Sequence, residues 1–128
     1  MDLSALKQIV DDHLRLELAT ALGTAKPPYS PGVYALFFER QRVYIGIARG
    51  KKGLRNRKRN YVGGDDGHTM HRELLSIIPD KTQRTAFITS NVLMAWYEVE
   101  TAKIAEELEK ELVSIHKPNW NRLIYLSP

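Results

Sequence analysis

The sequence predicts a small α+β domain, on three observations. Several stretches repeat apolar residues at helical spacing. Two short β-branched and aromatic runs lie close enough to form a hairpin. The 128 residues contain no internal repeat and no low-complexity segment. This length suits one domain with a modest core. The 43% apolar and 27% charged shares are those of a soluble globular protein. With no cysteine, disulfides, thiolate chemistry and cysteine-based zinc sites are excluded, and a reducing cytoplasm fits. No apolar run approaches the roughly 20 residues of a membrane span, so no membrane association is expected. "MDLSALKQIVDD" carries acids where a secretory leader has basic residues.

Taken in order, residues 3–22 read as an amphipathic helix. Leu3, Leu6, Val10, Leu14 and Leu18 recur at helical spacing, Asp2 or Ser4 can cap it, and Gly23 can stop it. "AKPPYSPG" is a rigid linker with three prolines. Residues 33–38 and 43–48 are strand-like, with the polar tip Glu39-Arg40-Gln41-Arg42 between them. "GLRNRKRNYV" reads as a short basic helix, "GGDDGH" as a flexible loop, and "HTMHRELLSIIP" as a helix ended by Pro79. "TAFITSN" and "AWYEVE" read as strands, and "TAKIAEELEKELVSIH" as an amphipathic helix stopped by Lys117-Pro118. "NWNRLIYL" reads as a final extended piece.

Charge is concentrated. The net charge of +4 and pI near 9.4 are mild pointers to a polyanionic partner. Residues 49–59 hold seven Lys or Arg and no acid, so removing those seven charges leaves the rest of the chain at −3. A block of one sign repels itself, and it is either a solvated face or a surface for phosphates.

Individual residues stand out within this frame. On the last helix, Ala105, Leu108, Leu112 and Ile115 form an apolar stripe with Glu109 and Glu111 at its two flanks. A carboxylate turned inward needs a cation or hydrogen bonds, whereas one at an edge can reach water. Periodicity does not choose between the two. On the basic helix Leu54, Lys58 and Tyr61 share a face with Arg57 beside it, while Arg55 and Arg59 point elsewhere. Tyr34 and Tyr44 can meet across the hairpin, either as a packing pair or as two phenols in one site.

These residues also form an ordered set that resembles the GIY-YIG nuclease domain. "GVY" (Gly32, Val33, Tyr34) and "YIG" (Tyr44, Ile45, Gly46) match its two signature elements. "GLRNRKRNY" matches its arginine helix, with Arg57 in the arginine position. "LEKELVSIHKPNWN" matches its glutamate helix and closing asparagine, with Glu109 and Asn121 in those positions. The match runs from Pro31 to about Leu123. It departs at Ile47, where the family often has a basic or polar residue, and residues 63–90 do not align.

The resemblance implies a fold, a domain layout and an activity. The fold would be a small, mainly antiparallel three-stranded central sheet flanked by helices. Residues 31–128 would form the nuclease-like domain, 1–23 an N-terminal helical extension and 24–30 the linker. The activity would be metal-dependent hydrolysis of phosphodiester bonds, in DNA rather than RNA. Glu109 would hold Mg²⁺ or Mn²⁺, Arg57 would hold the scissile phosphate, and Tyr34 would activate water. Tyr44 would position phosphate, water or the first tyrosine, and Asn121 would brace the site. Arg49, Lys51, Lys52, Arg55 and Arg59 would follow the phosphate backbone. No small-molecule cofactor is implied. His68 and His71 are either accessory residues or surface histidines, and Trp96 and Trp120 either stack on bases or pack in the core. One centre cuts one strand, so a double-strand break would need a homodimer or two visits. The competing expectations are a non-catalytic nucleic-acid-binding module on the same fold and a plain protein-interaction domain.

Overall fold

The computed structural model describes residues 2–63 and 69–121. The elements are α1 (Leu3–His13), a 3-10 turn (Leu16–Leu18), β1 (Thr20–Ala21), β2 (Gly32–Phe38), β3 (Gln41–Ala48) and α2 (Gly53–Val62). They continue with α3 (Thr69–Leu74), α4 (Lys81–Asn91), β4 (Leu93–Glu98), α5 (Ala102–His116) and a 3-10 turn (Asn119–Asn121). The four strands form one antiparallel sheet in the order β1-β4-β2-β3. The α+β class is as expected, but the sheet has four strands rather than three, because β1 adds a two-residue pairing along β4.

The sheet is covered on both faces. On one face Val33, Ala35, Phe37, Ile45, Ile47 and Ala95 pack with Val10 and Leu14 from the N-terminal segment and Leu108 and Leu112 from α5. On the other, Tyr34, Leu36 and Met94 pack with Leu54 and Tyr61 of α2, Leu74 of α3 and Ile88 of α4. The alternation along β2 therefore separates two apolar clusters, and this is why "VYALFF" is apolar throughout.

Several local expectations are corrected, among them the helix expected to run to Pro79, which ends at Leu74. The first helix ends at His13 rather than residue 22, and the chain then turns through Leu16–Leu18 into β1. Asp2 caps α1 by accepting from the Ala5 N–H. The "TAFITSN" segment is the second half of α4, not a strand. Asp80 accepts from the Gln83 N–H to start that helix, and burial of Arg84 and Ile88 four residues apart holds it despite its β-branched run. The extended piece expected at 119–126 begins instead as a 3-10 turn over Asn119–Asn121, and its remainder, like the loop beyond Gly63 up to residue 68, lies outside the described residues.

Candidate active site

The β2–β3 hairpin sets the geometry. Its tip is Glu39–Arg40, both at positive φ (51° and 67°), the two-residue turn whose twist matches paired strands. From the tip, Phe38 pairs with Gln41 and Phe37 with Arg42, but Leu36 pairs with Tyr44, so Val43 is the extra residue of a bulge. Beyond the bulge Tyr34 lies opposite Gly46. Tyr34 and Tyr44 are thus diagonal neighbours on one face, with ring centroids 6.1 Å apart. A Cβ on Gly46 would lie 2.6 Å from the Tyr34 hydroxyl and 2.6 Å from Tyr44 Cε2. The missing side chain is what lets the two rings converge.

A third phenol joins them, one that sequence reasoning did not assign to the site. Tyr61 of α2 is buried, and its hydroxyl shares a 2.7 Å hydrogen bond with that of Tyr34. Its position seven residues after Leu54 signalled burial, but helical spacing carries no information about which phenol it meets. Burial raises the pKa of Tyr34 well above that of an ordinary phenol, and Tyr61 and Tyr44 raise it further, while the Arg57 charge opposes them. Burial also raises Tyr61, with Tyr44 adding to it and Arg57 again lowering it.

Arg57 is half-buried on α2, and its Nε donates to the Ile47 carbonyl of β3 at 3.2 Å. Among the described residues β3 is a sheet edge. Asn121 occupies the same edge: its Oδ1 accepts from the Ile45 N–H at 2.8 Å and its Nδ2 donates to the Ile45 carbonyl at 2.7 Å. That buried side chain supplies both bonds a neighbouring strand would have made.

Glu109 comes from α5, on the other side of the sheet. Val113 is buried and Ile115 is 57% exposed, so the apolar arc of α5 is shifted from the expected one and includes the direction of Glu109. Burial raises the carboxyl pKa and Glu106 adds to it, while Arg49 and Arg57 lower it. Glu111 points to α1 instead and pairs with Lys7 at 3.4 Å. The tertiary structure thus separates the two flank glutamates that periodicity could not.

Of the basic residues, Arg49 pairs with Glu106 at 2.7 Å, Lys51 and Lys52 are exposed, and Arg55 and Arg59 lie on α2 beside Tyr29. Residues 48–53 with Asn56 and Arg57 line a shallow depression at the start of α2. His71 is buried, not on a helix surface. Its Nδ1 accepts from Arg84 Nε at 3.1 Å, so the ring proton is on Nε2, which donates to the Tyr61 carbonyl at 2.8 Å. His68 lies outside the described residues. Trp120 stacks on Phe38 with centroids 6.1 Å apart, and Trp96 packs on the α2–α4 side of the sheet.

No family model and no curated protein matches the sequence. Among solved structures, the chain is similar to the GIY-YIG N-terminal endonuclease domain of UvrC from Thermotoga maritima bound to its catalytic magnesium ion. The identity is 23% and the TM-score 0.50, covering 77% of this chain and 89% of that one. A tyrosine-to-phenylalanine point mutant of that domain, bound to its catalytic divalent cation, gives the same identity and TM-score over 77% and 88%. The order of strands and helices, together with this likeness, places the protein in one architecture: the chain has the fold of GIY-YIG endonuclease domains.

Proposed function

We propose that the chain is a divalent-metal-dependent endonuclease that hydrolyses phosphodiester bonds of nucleic acid, DNA in preference to RNA, at the β3 edge of the sheet. The observation that carries this reading is the convergence at the β3 edge: the Tyr34 hydroxyl meets that of Tyr61 at 2.7 Å, the Tyr34 and Tyr44 rings lie 6.1 Å apart, and Arg57 of α2 is fixed to the Ile47 carbonyl at 3.2 Å. The Arg57 charge favours the ionised forms of Tyr34, Tyr61 and Glu109, groups far apart along the chain, against their burial.

The chemistry of the donor set fits a hard cation. Among the described residues no three His, Cys, Asp or Glu side chains gather, and a single carboxylate suits Mg²⁺, which keeps most of its waters. Burial and Glu106 oppose ionisation of Glu109, and a cation supplies the counter-charge that would keep it ionised. Bound there, Mg²⁺ or Mn²⁺ would stabilise charge on the phosphoryl and 3′-leaving oxygens.

The chain's own residues do the rest. Arg57 Nε is taken by the Ile47 carbonyl, which fixes the plane of the fork and presents the terminal nitrogens to the scissile phosphate. Tyr34, once its own proton has left to solvent, orients the attacking water as the phenolate and takes the water's proton as the water oxygen bonds phosphorus. The P–O3′ bond breaks, and its electron pair leaves with the 3′ oxygen. Tyr61 donates a hydrogen bond to the Tyr34 phenolate oxygen before it takes the proton. Tyr44 positions phosphate or water, and Asn121 holds β3 in place. A phenolate at Tyr34 needs more positive charge than Arg57 alone provides, because burial outweighs that charge.

That same burial favours a second reading, a nucleic-acid-binding module that does not cleave. Nicking of supercoiled plasmid, with Mg²⁺ and with EDTA, separates the two. Wild type should nick only with the metal, and Glu109→Ala should bind DNA but not nick. Undiminished nicking by Glu109→Ala would remove the carboxylate from the mechanism. Binding without cleavage of the plasmid or of a partly single-stranded substrate, under any divalent ion, would establish the module.

A further inference from the structure

We propose that Tyr29, with Arg55 and Arg59, forms a stacking platform for an unpaired nucleotide. The inference rests on the nuclease reading and narrows its substrate to nucleic acid with a single-stranded segment beside the cut, DNA or RNA. Tyr29 is an exposed aromatic, 54% accessible, in the proline-rich linker before β2. Two guanidinium groups lie over its ring, Arg55 at 4.9 Å and Arg59 at 5.8 Å from the centroid. An exposed ring held among cations, inside a seven-charge basic run, combines a stacking surface with the means to neutralise phosphate.

The platform is built rather than incidental. The linker is fastened to the start of α2: Leu54 N–H donates to the Ser30 carbonyl at 2.9 Å, Arg55 N–H to Pro28 at 3.0 Å, and Arg55 Nε to Pro27 at 2.7 Å. Gly53 makes this docking possible. It sits at φ +53°, and a Cβ there would lie 2.1 Å from the Ser30 carbonyl oxygen. Pro27 and Pro28 limit the linker's freedom further, so little ordering entropy remains to be lost when a base stacks on Tyr29.

Its place relative to the site defines the substrate. Arg55 and Arg59 share one side of α2, one turn apart, whereas Arg57 turns to β3. The helix is about 10 Å across with its side chains. The platform therefore lies on a different side of α2 from Arg57. An unpaired base is free to turn and stack on Tyr29, whereas a paired base is held within the duplex stack.

The test measures binding in EDTA, where no cleavage occurs, by fluorescence anisotropy on the full chain. The probes are a labelled single strand and a blunt duplex of one sequence, as DNA and as RNA. Tyr29→Ala should weaken single-strand binding about tenfold, the loss of one stacked base, and duplex binding less than about twofold. Tyr29→Phe should bind like wild type. Arg59→Gln should weaken both forms and flatten the single-strand log–log salt slope by about 0.7. Equal losses on single strand and duplex, or none on either, would overturn the proposal, as would the same Tyr29 dependence for a polyglutamate peptide. This outcome is separate from the plasmid assay, which fails through Glu109 and not through Tyr29. A wild type that binds no nucleic acid would remove both.

Discussion

Replacing Gly46 with alanine tests whether the hairpin is shaped around its phenols. The new methyl would lie 2.6 Å from the Tyr34 hydroxyl, 2.7 Å from its Cζ and 2.6 Å from Tyr44 Cε2, where ordinary contact begins at 3.4 Å. At least one ring must move by about 0.8 Å, the difference between those two distances, or the backbone must bend. Tyr34 has little room, being buried and bonded to Tyr61 at 2.7 Å. The same displacement along that bond would stretch it to about the limit of a hydrogen bond. Overpacking of this kind costs about 1–3 kcal/mol, which lowers Tm by roughly 3–12 °C for a domain of this size. A misplacement near 1 Å at the reacting group costs about 10²-fold in rate. Both should appear together: a lower melting temperature by circular dichroism, and a fall in kcat measured well below that temperature, with DNA binding retained. Gly50→Ala is the control, since a Cβ there meets no atom within 4 Å. Wild-type turnover by Gly46→Ala would show that the convergence of the two rings is packing without catalytic consequence.

Further predictions concern single groups. Glu109 has its pKa raised in the folded state, so it binds its proton more tightly folded than unfolded, and stability falls as pH rises above the ordinary glutamate range. Glu109→Gln should therefore melt higher than wild type at about pH 7 and alike at about pH 4, without Mg²⁺. Mg²⁺ at about ten times its Kd should stabilise wild type by about 1.4 kcal/mol and leave the variant unmoved; a variant that still shifts would place the ion elsewhere. If Tyr34 is the base, log kcat/KM should rise with a slope of about one through roughly pH 7–9, because the raised pKa keeps the phenol protonated there. Tyr34→Phe should lose that limb, and a flat wild-type profile would move the base role to another group. Arg84→Ala should cost about 3 kcal/mol or more by denaturant unfolding, since it leaves His71 Nδ1 and the Ile78 and Pro79 carbonyls without this donor inside the protein. A loss under about 1 kcal/mol would mean that water or neighbours replace it readily.

The sequence by itself determined the class of fold, the hairpin, the two helices that flank the site and the identity of the residues matching the GIY-YIG pattern. The first three are written in local spacing, and the last in the resemblance to a known family. Two β-branched and aromatic runs joined by a short polar tip read as a hairpin, and Ala105, Leu108 and Leu112 face inward on any helix that packs. Local spacing also misled where a neighbour decided the outcome. The β-branched run of α4 became helical because its Asp80 cap and the burial of Arg84 and Ile88 outweighed its strand propensity.

Only the tertiary structure decided which side chains meet. The Val43 bulge sets the register that puts Tyr34 across from Gly46, and Val113 rather than Ile115 completes the buried arc around Glu109. Lys7 claims Glu111, Tyr61 reaches Tyr34, and His71 bonds the Tyr61 carbonyl from a helix ten residues further on. These are contacts between elements far apart along the chain. Their distances depend on how strands register and helices cross, and neither periodicity nor residue propensity encodes that.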